Sequence, residues 1–197
     1  PGLNAVLVVS PYYVRPSQAG IVAHFRAISE ATSTPVVVYN IPARTGRGMD
    51  AATLLEVAAM PNVVGLKQAV GAFDDATLRV LAEAPDSFKV MSGDDAFILP
   101  IVLHGGTGAI AASAHVCTDR FVSLVECGLS GKLDEATVHA EALLPVVEAG
   151  FAEPNPSVFK GALAAQGLIP TADVRLPLVN ASTASVDALL AAIDTAR

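Results

Sequence analysis

Short apolar runs alternate with stretches of helical spacing through the first half of the chain. Ala5 to Val9 is continuously apolar, as a strand buried on both faces is. Gly20 to Ala31 carries Ile21, Val22, Phe25 and Ile28 at helical spacing. Pro35 opens a second strand, Val36-Val37-Val38-Tyr39, which breaks at Asn40-Ile41-Pro42. A helix over Ala51–Ala59 leads to a third strand, Val63 to Leu66. A helix over 74–83 leads to a fourth, Phe88 to Met91. A short helix at about 95–103 precedes a fifth, Gly108-Ala109-Ile110-Ala111.

Five short apolar strands separated by helices make successive βα units, and so an α/β fold with a parallel sheet. In such sheets chemistry sits at the carboxyl ends of the strands. The segments at those ends are Ser10-Pro11-Tyr12-Tyr13, Tyr39-Asn40-Ile41-Pro42, Lys67-Gln68-Ala69, Ser92-Gly93-Asp94-Asp95 and Ala112-Ser113. After residue 115 the alternation stops, and helical patterns cover about 116–128, 132–152, 156–167 and 183–196. Gly128, Gly131 and Gly167 mark the breaks, while Asp134 and Ser182 are candidate helix-start signals. The expected organisation is a barrel-like βα part over 1–115 and a helical region over 116–197. Five strands are too few to close a barrel of eight, so the βα part is expected to be incomplete on its N-terminal side.

Composition narrows the function classes. Of the 197 residues 52% are hydrophobic and 16% charged, which describes a globular chain. A net charge of −7 argues against a nucleic-acid partner, which needs clustered Lys and Arg. No apolar run approaches the roughly 18 residues of a membrane span. Cys117 and Cys127 have no metal spacing and read as ordinary thiols in a reducing compartment. The four histidines, His24, His104, His115 and His139, form no ligand set, so no metal site is expected. The chain begins at Pro1 without a Met, so this end says nothing about localisation.

The residues at the strand ends supply candidate chemistry. Lys67 follows Val-Val-Gly-Leu, where a buried strand emerges. An ammonium there loses hydration, its pKa falls, and the neutral amine can attack a ketone to form an iminium that serves as an electron sink. The alternative is a strand-end lysine paired with a carboxylate. Tyr39 ends the preceding parallel strand and can lie beside Lys67, where a phenol can shuttle protons; otherwise it is a core tyrosine. Of Tyr12 and Tyr13, alternation allows at most one to face a cavity. Arg44, held between Pro42 and Gly46, suits bidentate carboxylate binding at a loop rim, or else is plain surface. Asp94 and Asp95 resemble a metal or acid–base pair, but helix capping is the favoured expectation. Gly105-Gly106-Thr107-Gly108 precedes a strand and reads as a tight turn rather than a phosphate loop.

Taken in order, Ser-Pro-Tyr-Tyr, Tyr-Asn-Ile-Pro-Ala-Arg-Thr-Gly, Val-Gly-Leu-Lys-Gln-Ala, Ser-Gly-Asp-Asp, Glu-Pro-Asn-Pro and Arg175-Leu176-Pro177-Leu178 resemble the dihydrodipicolinate synthase / N-acetylneuraminate lyase superfamily over essentially the whole chain. The resemblance implies a (β/α)8 TIM barrel with a C-terminal helical extension, of which this chain holds the last five βα units. It implies a Schiff base between Lys67 and pyruvate, with Tyr39 relaying protons. Tyr13 would reach across an interface into a neighbouring site, and Gly93 and Ile110 would line the pyruvate pocket. Arg44 would bind the carboxylate of a second, aldehyde substrate, and the Arg-Thr-Gly segment favours the synthase branch of lysine biosynthesis. A cytoplasmic homo-oligomer, commonly a tetramer, without cofactor or metal, is the implied setting. Alternatives are a 2-keto-3-deoxy sugar acid aldolase or dehydratase of the same superfamily, or a catalytically incomplete scaffold.

Some positions depart from the pattern. Gln68 stands where the synthases usually carry Glu or Asp, and Ala112 and His115 differ from their commoner residues. The three N-terminal βα units, with a relay threonine in a Gly-Thr-Thr-Gly-Glu-type segment, are not in this sequence. The chain by itself is therefore expected neither to close a barrel nor to turn over substrate.

Overall fold

The computed structural model describes residues 2–197. It divides into two compact units, with the boundary between Ile110 and Ala111. A 3-10 turn over Ser113–His115 lies near the start of the second unit.

The first unit is a five-stranded sheet in the order β1-β2-β3-β4-β5, with every neighbouring pair parallel. The strands are β1 (Val6–Val9), β2 (Val36–Asn40), β3 (Val63–Gln68), β4 (Lys89–Ser92) and β5 (Gly108–Ala109). Between them run α1 (Gln18–Ala31), α2 (Pro42–Thr45), α3 (Ala51–Ala58), α4 (Asp75–Glu83) and α5 (Ile98–Leu103). Spatial order that follows chain order, with a helix in each crossover, is how consecutive βα units of a (β/α)8 barrel are arranged.

Side-chain alternation gives this sheet two chemically different faces. Val36, Val38, Leu66 and Val90 pack with Ile21, Phe25, Leu54, Val57 and Val80 of the helices into one buried cluster. Burying each of the larger side chains contributes about 1.5–3 kcal/mol. The opposite face carries the row Val9, Tyr39, Lys67, Met91 and Gly108, which are direct cross-strand partners. The face that reaches the helices is apolar up to its last row, where Asn40, Gln68 and Ser92 stand.

Local signals set the helix starts. Ser17, Asp50 and Asp74 cap α1, α3 and α4 by accepting from the backbone N–H groups of Gly20, Thr53 and Thr77. The turn Gly105–Gly108 joins α5 to β5 as the sequence indicates. Gly105 has φ of 100°, and a Cβ on Gly106 would stand 2.4 Å from the Ile101 side chain.

Two local expectations need correction. Pro42–Thr45 is a one-turn helix, closed by Gly46 at φ 74° donating to the Pro42 carbonyl, where a plain loop rim was expected. The fifth strand ends at Ala109, two residues early. Tyr12 and Tyr13 are exposed, at 67% and 91%, and Tyr13 adopts φ of 67°.

The second unit contains α6 (Thr118–Leu129), α7 (Leu133–Gly150), α8 (Ser157–Ala165) and α9 (Thr183–Thr195). Its core is Val146, Val158, Phe159, Ala162, Leu189 and Ile193. Gly150 lets α7 and α8 approach closely, since a Cβ there would lie 2.3 Å from the Phe159 ring. Ser182 caps α9 through Ser185, as its position indicates. Asp134 lies inside the first turn of α7 and is not its cap. Cys117 and Cys127 are free and half-buried. Among the described residues no helix is long and apolar enough to cross a membrane.

Candidate active site

The polar ends of β2, β3 and β4 converge in the first unit. Tyr39 and Lys67 are direct partners in the parallel ladder, and the Lys67 Nζ lies 4.3 Å from the centre of the Tyr39 ring. That contact follows from two facts of sequence: each residue ends an apolar strand, and the strands are neighbours in matching register. Burial acts on both groups. It lowers the Lys67 pKa from the ordinary 10.5, against the opposing fields of Asp95 and Asp94, with Arg44 adding a smaller downward push. It raises the Tyr39 pKa above 10.0, partly offset by Arg44. The tyrosine is thus held as a proton donor while the lysine is biased toward its nucleophilic form.

Gly93 adjoins this pair. Its N–H donates to the Gln68 carbonyl at 2.7 Å, drawing the end of β4 onto β3. A Cβ on Gly93 would stand 2.8 Å from Lys67 Cγ and 2.9 Å from Ala69 Cβ. The lysine stem can swing, but the Ala69 methyl cannot. We therefore expect Gly93→Ala to cost about 1–3 kcal/mol by overpacking and to displace Lys67. Thermal melting and the rate of amine modification at Lys67 check this.

Arg44 is exposed on α2, close enough to act electrostatically on both Tyr39 and Lys67. Ile110 follows β5 and donates its N–H to the Ser92 carbonyl at 2.8 Å; its side chain is partly exposed. Tyr13 stays on the open β1–α1 loop. The first unit thus brings together Tyr39, Lys67 and Gly93, with Arg44 at their margin, and leaves Tyr13 facing outward.

Asp94 does not act as a helix cap. Its side chain makes no capping bond; instead Oδ2 accepts the Gly71 N–H at 2.6 Å, tying the loop after Lys67 to the end of β4. Burial raises its pKa, against the Gly71 hydrogen bond. Asp95 is buried and contributes to the field at Lys67. Among the described residues no cluster of three or more His, Cys, Asp or Glu could hold a metal ion.

Two further residues complete the region: Asn40, to which sequence reasoning gave no role, and Gln68, which it marked only as a departure from the family pattern. Asn40 and Gln68 are cross-strand partners one position beyond Tyr39 and Lys67, and both are fully buried. The Asn40 Nδ2 donates to Gln68 Oε1 at 2.9 Å, and Gln68 Nε2 donates to Thr77 Oγ1 at 3.0 Å. Their sequence signal was available: an Asn and a Gln on the oil-facing side of two adjacent strands must satisfy each other.

A half-buried strand-end lysine thus lies against a tyrosine on consecutive βα units of the (β/α)8-barrel class. Within that class, the chain belongs to the dihydrodipicolinate synthetase family, whose model matches residues 1–196. It is 42% identical over 192 residues to the 4-hydroxy-tetrahydrodipicolinate synthase of Moorella thermoacetica, covering 98% of this chain and 65% of that one. It is 41% identical over 178 residues to 4-hydroxy-tetrahydrodipicolinate synthase 1 of Halalkalibacterium halodurans, covering 90% and 60%. The crystal structure of dihydrodipicolinate synthase from Thermotoga maritima matches with a TM-score of 0.95 at 36% identity, over 99% of this chain and 67% of that one. The chain thus spans 60–65% of the length of these curated relatives.

Proposed function

We propose that the protein carrying this chain is a Schiff-base lyase that condenses pyruvate with aspartate semialdehyde, a 4-hydroxy-tetrahydrodipicolinate synthase of lysine biosynthesis. The observation that carries the reading is the direct pairing of Lys67 with Tyr39, the Nζ 4.3 Å from the ring. Family membership and relatives at 41–42% identity that bear that name support it.

In this reading the neutral Lys67 amine attacks the ketone carbon of pyruvate and gives a carbinolamine. Tyr39 donates a proton to the departing hydroxyl, which leaves as water, and an iminium remains. The Tyr39 phenolate takes a methyl proton and converts the iminium to an enamine; the enamine carbon adds to the aldehyde of the second substrate, whose oxygen receives that proton, and water then releases the product from Lys67. The Gly93 backbone leaves room beside the imine, and Ile110 lines the same side. Arg44 holds the second substrate's carboxylate at the rim. Tyr13, exposed on its loop, is available to the site of a neighbouring subunit in a homo-oligomer.

The second substrate is tested by assaying the protein, expressed with every residue its gene encodes, with pyruvate and either aspartate semialdehyde or a 2-keto-3-deoxy sugar acid. Turnover with aspartate semialdehyde is expected; cleavage of the sugar acid alone would assign the aldolase alternative. Arg44→Ala is expected to raise KM for aspartate semialdehyde about tenfold or more, the loss of a charge-assisted pair, and to leave pyruvate imine formation intact. Steady-state kinetics with each substrate varied in turn checks that split.

A further inference from the structure

Behind Tyr39 and Lys67, on the helix-facing side of the sheet, one unbroken chain of hydrogen bonds crosses three elements. The Met49 N–H donates to Asn40 Oδ1 at 3.2 Å. Asn40 Nδ2 donates to Gln68 Oε1, and Gln68 Nε2 to Thr77 Oγ1. The Thr77 hydroxyl donates to Asp74 Oδ1 at 2.6 Å, the same oxygen that caps α4.

The ends of this chain fix its direction. A backbone N–H at Met49 can only donate, so Asn40 must present its oxygen there and its amide hydrogens to Gln68. A carboxylate at Asp74 can only accept, so Thr77 must spend its hydrogen on it and take one from residue 68. Residue 68 must therefore accept on one side and donate on the other. Glutamine does both; a carboxylate does not. Gln68 is 2% exposed and Asn40 is fully buried, so water does not substitute for a lost partner.

We infer that the Asn40–Gln68–Thr77 chain is a positioning clamp for the imine-forming pair, and that its polarity makes glutamine the residue this chain requires at position 68. Asn40 and Gln68 directly follow Tyr39 and Lys67, so their bond locks the register that sets lysine against tyrosine. Met49 extends the lock to the segment that follows Arg44, and Asp74 extends it to the start of α4. The inference rests on the imine reading above. None of the three acts on substrate; each works through the two residues in front of it.

The test uses the protein with all its encoded residues and follows the single-turnover rate of borohydride-trapped pyruvate adduct between pH 6 and 8.5. The titratable groups around position 68 are Asp74 beyond Thr77, Asp50 beside Met49, Lys67 and Tyr39 on the opposite sheet face, and Asp94 and Asp95 after β4. Gln68→Glu can restore the donor only while its carboxyl is protonated. It should therefore match the unaltered protein at pH 6 within about twofold and fall about tenfold behind it at pH 8.5. Thr77→Val, of the same shape, should be about tenfold slower at every pH, and Thr77→Ser should recover the rate. The Thr77 pair carries the test if Gln68→Glu does not fold at high pH. A Gln68→Glu protein that keeps pace at pH 8.5, or a Thr77→Val protein that matches Thr77→Ser, overturns the clamp. Absence of any adduct on the unaltered protein overturns the imine reading itself, and the clamp's role in it.

Discussion

Lys67→Met abolishes trapping of pyruvate and lowers turnover by on the order of 10³-fold or more, because among the described residues no other lysine stands at the carboxyl end of a strand to form the imine. Methionine keeps the length and the apolar stem, so the fold survives the change. The cost falls on chemistry, which is what separates this expectation from the structural alternative of a charge-paired lysine. A lysine kept for an ion pair would show its loss in the melting temperature and leave catalysis near normal. The pH dependence points the same way. Burial lowers the Lys67 pKa against the pull of Asp95 and Asp94, so the neutral amine predominates from a lower pH than for an ordinary lysine. Trapping should therefore rise with pH to a half-maximum below 10.5, and a midpoint at or above that value contradicts the desolvation argument. A rate-against-pH series on the unaltered protein measures it.

Tyr39→Phe is the second large effect. The ring and its contact with Lys67 are kept, and only the hydroxyl is lost. Removing a positioned proton donor is expected to slow turnover by about 10²–10³-fold while leaving the melting temperature within a few degrees. Because burial raises the Tyr39 pKa, the hydroxyl carries its proton throughout the neutral range. The defect should accordingly be flat between pH 6 and 9. A variant with normal rates of imine formation removes the proton relay from the account. A variant that fails to fold at all makes Tyr39 a core residue instead, with the hydroxyl serving packing.

The order of strands and helices was legible because the strands are short apolar runs, and the longer intervening helices show a period near 3.6. The adjacency of Tyr39 and Lys67 was legible for the same reason: both terminate neighbouring parallel strands. What escaped the sequence depends on backbone conformation or on partners far along the chain. The turn of helix at Pro42–Thr45 is too short to show a period. The left-handed backbone at Tyr13 is one that no tyrosine advertises. Asp94 looked like a cap because it precedes a helix, yet its partner is Gly71, on the loop after β3. Gln68 read as a departure from a family pattern; its meaning lies with Asn40 and Thr77, 28 and 9 positions away.

The central claim is that Lys67 forms an imine with pyruvate. Borohydride treatment of the protein, with all its encoded residues, in the presence of pyruvate reduces any iminium to a stable secondary amine. Peptide mass spectrometry then locates it. The pyruvate-derived mass is expected on the peptide containing Lys67 and on no other lysine, and it is expected to be lost in Lys67→Met. An unmodified Lys67 under conditions where the protein turns over, or an adduct at a different lysine, contradicts the claim.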